Sequence, residues 1–213
     1  YPVGWPTAIS RSYDGSPGQP GKNVSIELAY YDATGIPNAT SDRMIVARVR
    51  PEGAPEAVFL LAENGRISIS SRGGDGRDGS NGSSGAPGTN KWTASARRVL
   101  PGEPGDSGTD GRNGGDVRVV APTAALFGSV STSLDGGRGG EGGKGGHDYE
   151  LYATNSTYTD GSTVYRYRRA NRAPSGPSGN RGTAGNRVEH VDSADAMFAN
   201  APPWLDRTRL ITE

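Results

Sequence analysis

Glycine returns with a spacing of three along four separate stretches of this chain, and that spacing constrains the backbone more than any other feature. The stretches are Gly73, Gly76, Gly79, Gly82, Gly85 and Gly88; Gly102, Gly105, Gly108, Gly111 and Gly114; Gly136, Gly137, Gly139, Gly140, Gly142, Gly143, Gly145 and Gly146; and Gly176, Gly179, Gly182 and Gly185. A shorter run, Gly15, Gly18 and Gly21, lies near the start. In a backbone with three residues per turn, every third residue falls on one edge. Glycine there strips that edge of side chains and lets another main chain approach closely.

Composition shows why such packing would be needed. Only 32% of the 213 residues are hydrophobic and 34 are glycine, too little apolar mass for an ordinary core. The 23 basic and 23 acidic residues cancel, which removes the long-range field of a nucleic-acid or anionic-membrane binder. There is no cysteine, hence no disulfide framework or thiolate metal site. No stretch approaches the roughly 20 apolar residues that span a bilayer. The expected partners therefore exclude nucleic acid and membrane insertion. The chain opens on Tyr1 with neither methionine nor a signal-like segment, as a processed or excised chain does. Four N-x-S/T sequons, at Asn23, Asn38, Asn81 and Asn155, are glycosylation acceptors if the chain is secreted by a eukaryote.

Two textures alternate along the chain. Residues 1–72 carry most of the strand signal, in 24–31, 43–50, 57–61 and 66–70. There Ile45, Ala47 and Val49 alternate with Val46, Arg48 and Arg50, as in a half-buried strand. This stretch reads as a β-rich part with a short glycine-triplet run. Residues 73–190 read as glycine runs with intervening short strands at 117–120, 127–133, 149–154, 162–168 and 187–191. Residues 191–213 read as a short helix over 193–200, capped by Asp192 or Ser193 and stopped by Pro202 and Pro203, followed by an extended tail.

Collagen also demands glycine at every third place, but these runs are four to six triplets long, poor in proline and repeatedly interrupted. The run Gly136 to Gly146 carries glycine on two edges of three and leaves only Arg138, Glu141 and Lys144 on the third. Two bare edges suit a polyglycine II helix surrounded by neighbours, with lateral N–H···O=C bonds, so this run is expected at the centre of a bundle. Charged residues between the glycines, among them Asp75, Asp78, Asp106 and Asp110, read as solvent-facing groups that supply solubility. The fold class expected is mainly β and irregular: a β-rich N-terminal part plus a polyglycine II helical bundle, with almost no α-helix.

The triplets from Gly73 to Gly88 and the doubled glycines from Gly136 to Gly146 resemble the polyglycine II bundles of snow flea antifreeze proteins and of phage tail-fibre adhesin tips. That resemblance implies ice binding, or presentation of loops to a cell-surface receptor. The outer edges, filled with Asp, Arg, Glu and Lys, differ from the flat face of small residues that ice binding calls for.

Motifs that bear on chemistry are sparse. Gly74, Gly76 and Gly79 satisfy G-x-G-x-x-G after a strand, yet more triplets follow where a dinucleotide fold places a helix. Asp75 and Asp78 lack the spacing of a calcium loop. His147 with Asp148 and Glu150, and His190 with Glu189 and Asp192, show no spacing that makes them converge. No catalytic residue, metal site or cofactor is expected, and the chain reads as a non-enzyme. Tyr165, Arg166 and Tyr167 form an alternating aromatic and basic strand that either packs one face or offers a ligand surface. Trp5 and Trp204 sit in proline-fixed segments that either dock onto a second subunit or fold back. The function expected is an extracellular or cell-surface structural module, a self-associating fibre or surface component whose partner is itself. One alternative is an adhesin or carbohydrate-binding module contacting surface glycans through loops 89–101 and 147–175; a second is an ice-binding protein.

Overall fold

The computed structural model describes residues 5–39, 41–85, 99–157 and 163–211. They divide into two compact units: Tyr1–Asp75, Arg112–Gly137 and Gly182–Glu213 form the first, Gly76–Gly111 and Arg138–Arg181 the second. The strands are β1 Ala8–Ser12, β2 Val24–Asp32, β3 Arg43–Pro51, β4 Ala57–Ala62, β5 Arg66–Ser70, β6 Val99–Leu100, β7 Val117–Ala121, β8 Val130–Ser133, β9 His147–Thr157, β10 Thr163–Arg172, β11 Arg187–Val191 and β12 Leu210–Ile211, of which β1, β6 and β12 are not expected from the sequence. Residues Ala124–Ser129 form a 3₁₀ turn, so the front of the expected strand 127–133 is helical. The C-terminal helix, α1, covers Ala194–Met197, and the Ser193 hydroxyl caps it by accepting from the Ala196 N–H.

In the first unit, a six-stranded sheet runs β11-β7-β2-β3-β4, with β12 also pairing β2. β2 is antiparallel to β3 but parallel to β7, and β7 is parallel to β11. A second sheet, β1-β5-β8, is parallel throughout. Ile26, Leu28, Ile45, Ala47, Val49, Val117 and Val119 on one face of the large sheet pack with Ile67, Ile69 and Val130 of the small one. The other face is buried too. Ala29, Tyr31, Met44, Val46 and Val120 pack under Ala194, Met197, Phe198 and Leu205. The alternation in β3 therefore does not separate a dry face from a wet one, and Arg48 is only 3% exposed. In the second unit, β10-β9-β6 is an antiparallel sheet.

The expected polyglycine II helical bundle is corrected by these findings, and with it the resemblance to snow flea antifreeze and phage tail-fibre proteins. Mixed-topology sheets define the fold, and the longest helical segment among the described residues is the six-residue 3₁₀ turn. The glycine runs are extended connections between strands and carry no assigned helix. Their physical organisation follows the strand pairs they continue. β5 pairs β8 at a sequence offset of 63, Ser70 opposite Ser133. In the second unit, Glu141 N–H and Lys144 N–H bond to the side chains of Asp78 and Asn81 at that same offset. Gly76, Gly79 and Gly82 donate to the carbonyls of Arg138, Glu141 and Lys144, while Gly140, Gly143 and Gly146 donate to Thr109, Asp106 and Glu103, all at 2.7–2.9 Å. Each unit thus keeps a pairing at the offset of 63, one through strands and one through glycine triplets. Cβ atoms added to these glycines would lie within 3.0 Å of backbone atoms of this same chain.

The fibre reading is corrected together with the bundle it rested on. The first unit is a small globular β/α body, and the close contacts of the runs are made within one chain rather than offered to another. The adhesin and ice-binding alternatives drew on the same bundle resemblance and lose that support.

Candidate functional site

The residues singled out from the sequence are dispersed. Trp5 packs against the second hydrophobic cluster of its own chain, whereas Trp204 is 57% exposed. Arg166 is exposed on β10; Asn155, Tyr165 and Tyr167 are placed by backbone only, and Gly88 and residues 89–98 lie outside the described residues. Asn38 is an exposed turn residue at φ 63°. Asn23 spans two partners, donating to Glu52 at 3.0 Å and accepting from the Asp116 N–H at 2.9 Å. Asn81 accepts from the Lys144 N–H at 2.8 Å.

The histidine clusters do not assemble either. His147 Nε2 lies 3.1 Å from Arg172, and neighbouring Asp148 accepts from the Gly102 N–H. Among the described residues, no three His, Cys, Asp or Glu side chains are grouped to hold a metal ion. None of the described helices is long and apolar enough to cross a membrane.

What the fold does bring together is a row of side chains on one face of the large sheet. Register places Val188 opposite Arg118, Arg118 opposite Ser25, and Ser25 opposite Arg50. The next row on that face is His190, Val120, Glu27 and Arg48. α1 and the segment after it cover the far end of this face but leave the Val188 to Arg50 end open. A cleft of about 640 Å³ results, lined by Ser25, Arg50, Arg118, Val188 and His190, with Asn23, Glu52, Asp116 and Glu189 around it. At about 4.8 Å between strands, the Arg118 and Arg50 backbones stand roughly 10 Å apart across Ser25.

Charge on this face is unbalanced. Glu27 is the sole carboxylate in the two rows, and its side chain is 8% exposed. It pairs with Arg50 through Oε1 and with Arg48 through Oε2, the latter at 3.3 Å. Arg48 also donates to the Met197 carbonyl at 3.1 Å and stacks over Phe198, 5.2 Å from the ring centre. Its buried Nε and Nη2 have no hydrogen-bond partner among the described residues. The shared carboxylate and the aromatic face offset part of the cost of burying the Arg48 charge. Arg118 differs from the other two arginines of the face: it is exposed, and its side chain makes no hydrogen bond or ion pair among the described residues.

The acidic residues around the cleft are already engaged. Asp116 accepts from the Asn186 N–H at 2.7 Å, Glu52 accepts from Asn23, and Glu189 pairs with Arg187 at 2.6 Å. The open cationic positions are therefore Arg118 and the exposed part of Arg50, whose side chain is 45% accessible. Arg118, Ser25 and Arg50 were not visible as a site in the sequence, which singled out Asn23 as a glycosylation acceptor and weighed His190 with Glu189 but did not bring them to this cleft. The available signal was Val-Arg-Val in 117–119, an arginine set into an apolar strand, but its neighbours Ser25 and Arg50 are distant in the chain.

Comparison with protein-family models, curated proteins and solved structures returns no match.

Proposed function

We propose that this protein is a non-enzymatic recognition module that binds an oxyanion group, a carboxylate or phosphate of its ligand, in the cleft over Ser25. The observation that carries this reading is Arg118, an arginine whose side chain has no partner among the described residues, on the cleft floor and facing Arg50 across a hydroxyl side chain. Guanidinium groups present planar forks of donors that match the paired oxygens of these anions, and Ser25 supplies a further donor. Val188 forms an apolar flank for the body of the ligand. Binding, rather than turnover, fits a floor whose only carboxylate is committed to two arginines.

The test is a titration of isotopically labelled protein with inorganic phosphate and with acetate, followed by NMR. Saturable shifts are expected at the amides of Ser25, Arg118 and Val188. Arg118→Ala is expected to weaken binding about tenfold, the scale of one charge-assisted hydrogen bond. Shifts scattered over the whole surface, or unchanged affinity in Arg118→Ala, would overturn the reading.

A further inference from the structure

The strand that walls the cleft is also a free sheet edge. Among the described residues, β11 pairs only with β7. Asn186 O accepts from Val117 and Asp192 N donates to Ala121, so the even-numbered backbone groups of β11 point inward. By the alternation of a strand, the N–H and C=O groups of Arg187, Glu189 and Val191 point outward. The register with β7 is unbroken over all five residues, without bulge or proline. Val188 and Val191, 55% and 56% exposed, are two of the three exposed large hydrophobic residues among those described. The opposite edge is treated differently: the Ala62 N–H of β4 is capped by the Pro6 carbonyl. An open, regular, partly apolar edge is a template for strand addition.

The residues of β11 say what adds to it. We infer that β11 pairs antiparallel with β11 of a second copy of this chain, centred on Val188. In that register Arg187 of each copy, whose guanidinium already holds the Val130 and Phe127 carbonyls and its own Glu189, lies opposite the partner's Glu189, so each Glu189 sits between its own Arg187 and the partner's, and Val188 meets the partner's Val188 between them. Shifting the centre to Glu189 would set like charges against each other, so charge selects the first register. A two-fold pairing of this kind is isologous and closes on itself, which gives a dimer and no fibre.

The pairing also extends the cleft. Opposite residues of antiparallel strands share a face, so the row Arg50, Ser25, Arg118, Val188 continues directly into the partner's Val188. The two copies of Arg118 then stand three strand spacings apart, about 14 Å. The dimer thereby presents two cationic floors along one trough.

The absence of cysteine allows a direct test. Val188→Cys introduces one thiol at a non-hydrogen-bonded pair position, where cross-strand Cβ atoms come close enough for a disulfide. Mild oxidation is expected to convert most of this variant to a covalent dimer, at least tenfold faster than Val191→Cys, whose thiol faces no thiol in the proposed register. Adding Glu189→Pro, which removes an outward donor and no inward bond, is expected to abolish the difference while leaving the circular dichroism of the monomer unchanged. Sedimentation of the unmodified protein over about a hundredfold range of concentration is expected to show monomer and dimer in exchange. Equal cross-linking at positions 188 and 191, or a monomer throughout, would overturn the inference. Because no anion is required, its failure is distinguishable from failure of the binding proposal.

Discussion

At Gly140 the cost of a single methyl group is set by a carbonyl from a different part of the chain. A Cβ there would fall within 3.0 Å of the Arg77 carbonyl carbon and oxygen and of the Asp78 nitrogen, all backbone atoms with no side-chain rotamer to yield. At Gly128 it would meet nothing within 4 Å. Gly140→Ala is therefore expected to destabilise the protein by about 3 kcal/mol or more, as overpacking against main chain does, and Gly128→Ala to stay within about 0.5 kcal/mol. Chemical denaturation of the two variants separates them. That glycine is needed at position 140 is legible from its place in the triplets. That Arg77 is the residue it meets is not, because the spacing marks which edge is bare and says nothing of the neighbour.

At the scale of elements, the Asp and Asn residues between the glycines read as solubilising groups in the sequence, and the structure gives several of them a second task. Asp110, Asn113 and Asp116 each accept from the backbone N–H seventy residues further on, at Asn180, Thr183 and Asn186. β7 and β11 are paired at that same offset. An extended run has no internal hydrogen bonds, so amides not matched to a neighbouring carbonyl need a side-chain acceptor, and a short polar side chain every third residue provides it. Asn113→Ala should cost about 1 kcal/mol by stranding the Thr183 N–H, whereas Asn113→Asp, which keeps the acceptor oxygen, should cost little. The shift in urea midpoint reads both. Period three in Asp110, Asn113 and Asp116 was visible beforehand; the acceptor role depends on which segment lies alongside.

For the whole molecule, three surface carboxylates held by hydrogen bonds contribute a dependence of stability on acid pH. At Asp14, partial burial is the largest single influence and raises the carboxyl. The Arg72 N–H, the hydroxyls of Ser70 and Ser12 and the Arg72 charge together outweigh it and bring the group below its usual 3.8. Asp32 and Asp206 are lowered by the hydroxyl and N–H of Thr34 and Thr208 respectively. A carboxyl with a depressed folded pKa contributes fully above its unfolded value and loses that contribution as the pH falls through the folded one. The melting temperature should thus be independent of these groups' titration well above 3.8, and fall progressively as the pH approaches and passes below that value. Asp14→Asn should flatten part of that fall in melts recorded between about pH 2 and 6.

The sequence by itself located the long strands to within a few residues, marked which positions exclude a Cβ, and showed that one short capped helix follows Asp192, because period, capping and glycine spacing are local properties of the chain; it did not show β1, β6 or β12, nor the 3₁₀ turn that replaces the front of 127–133. Tertiary structure alone decided that sheets of mixed direction define the fold and that Arg48 is buried against Glu27. It alone set Arg118, Ser25 and Arg50 side by side. Those outcomes depend on which distant segments pair and in what register. Pairing is settled by the burial and hydrogen bonding of both partners at once, and neither segment carries that information separately.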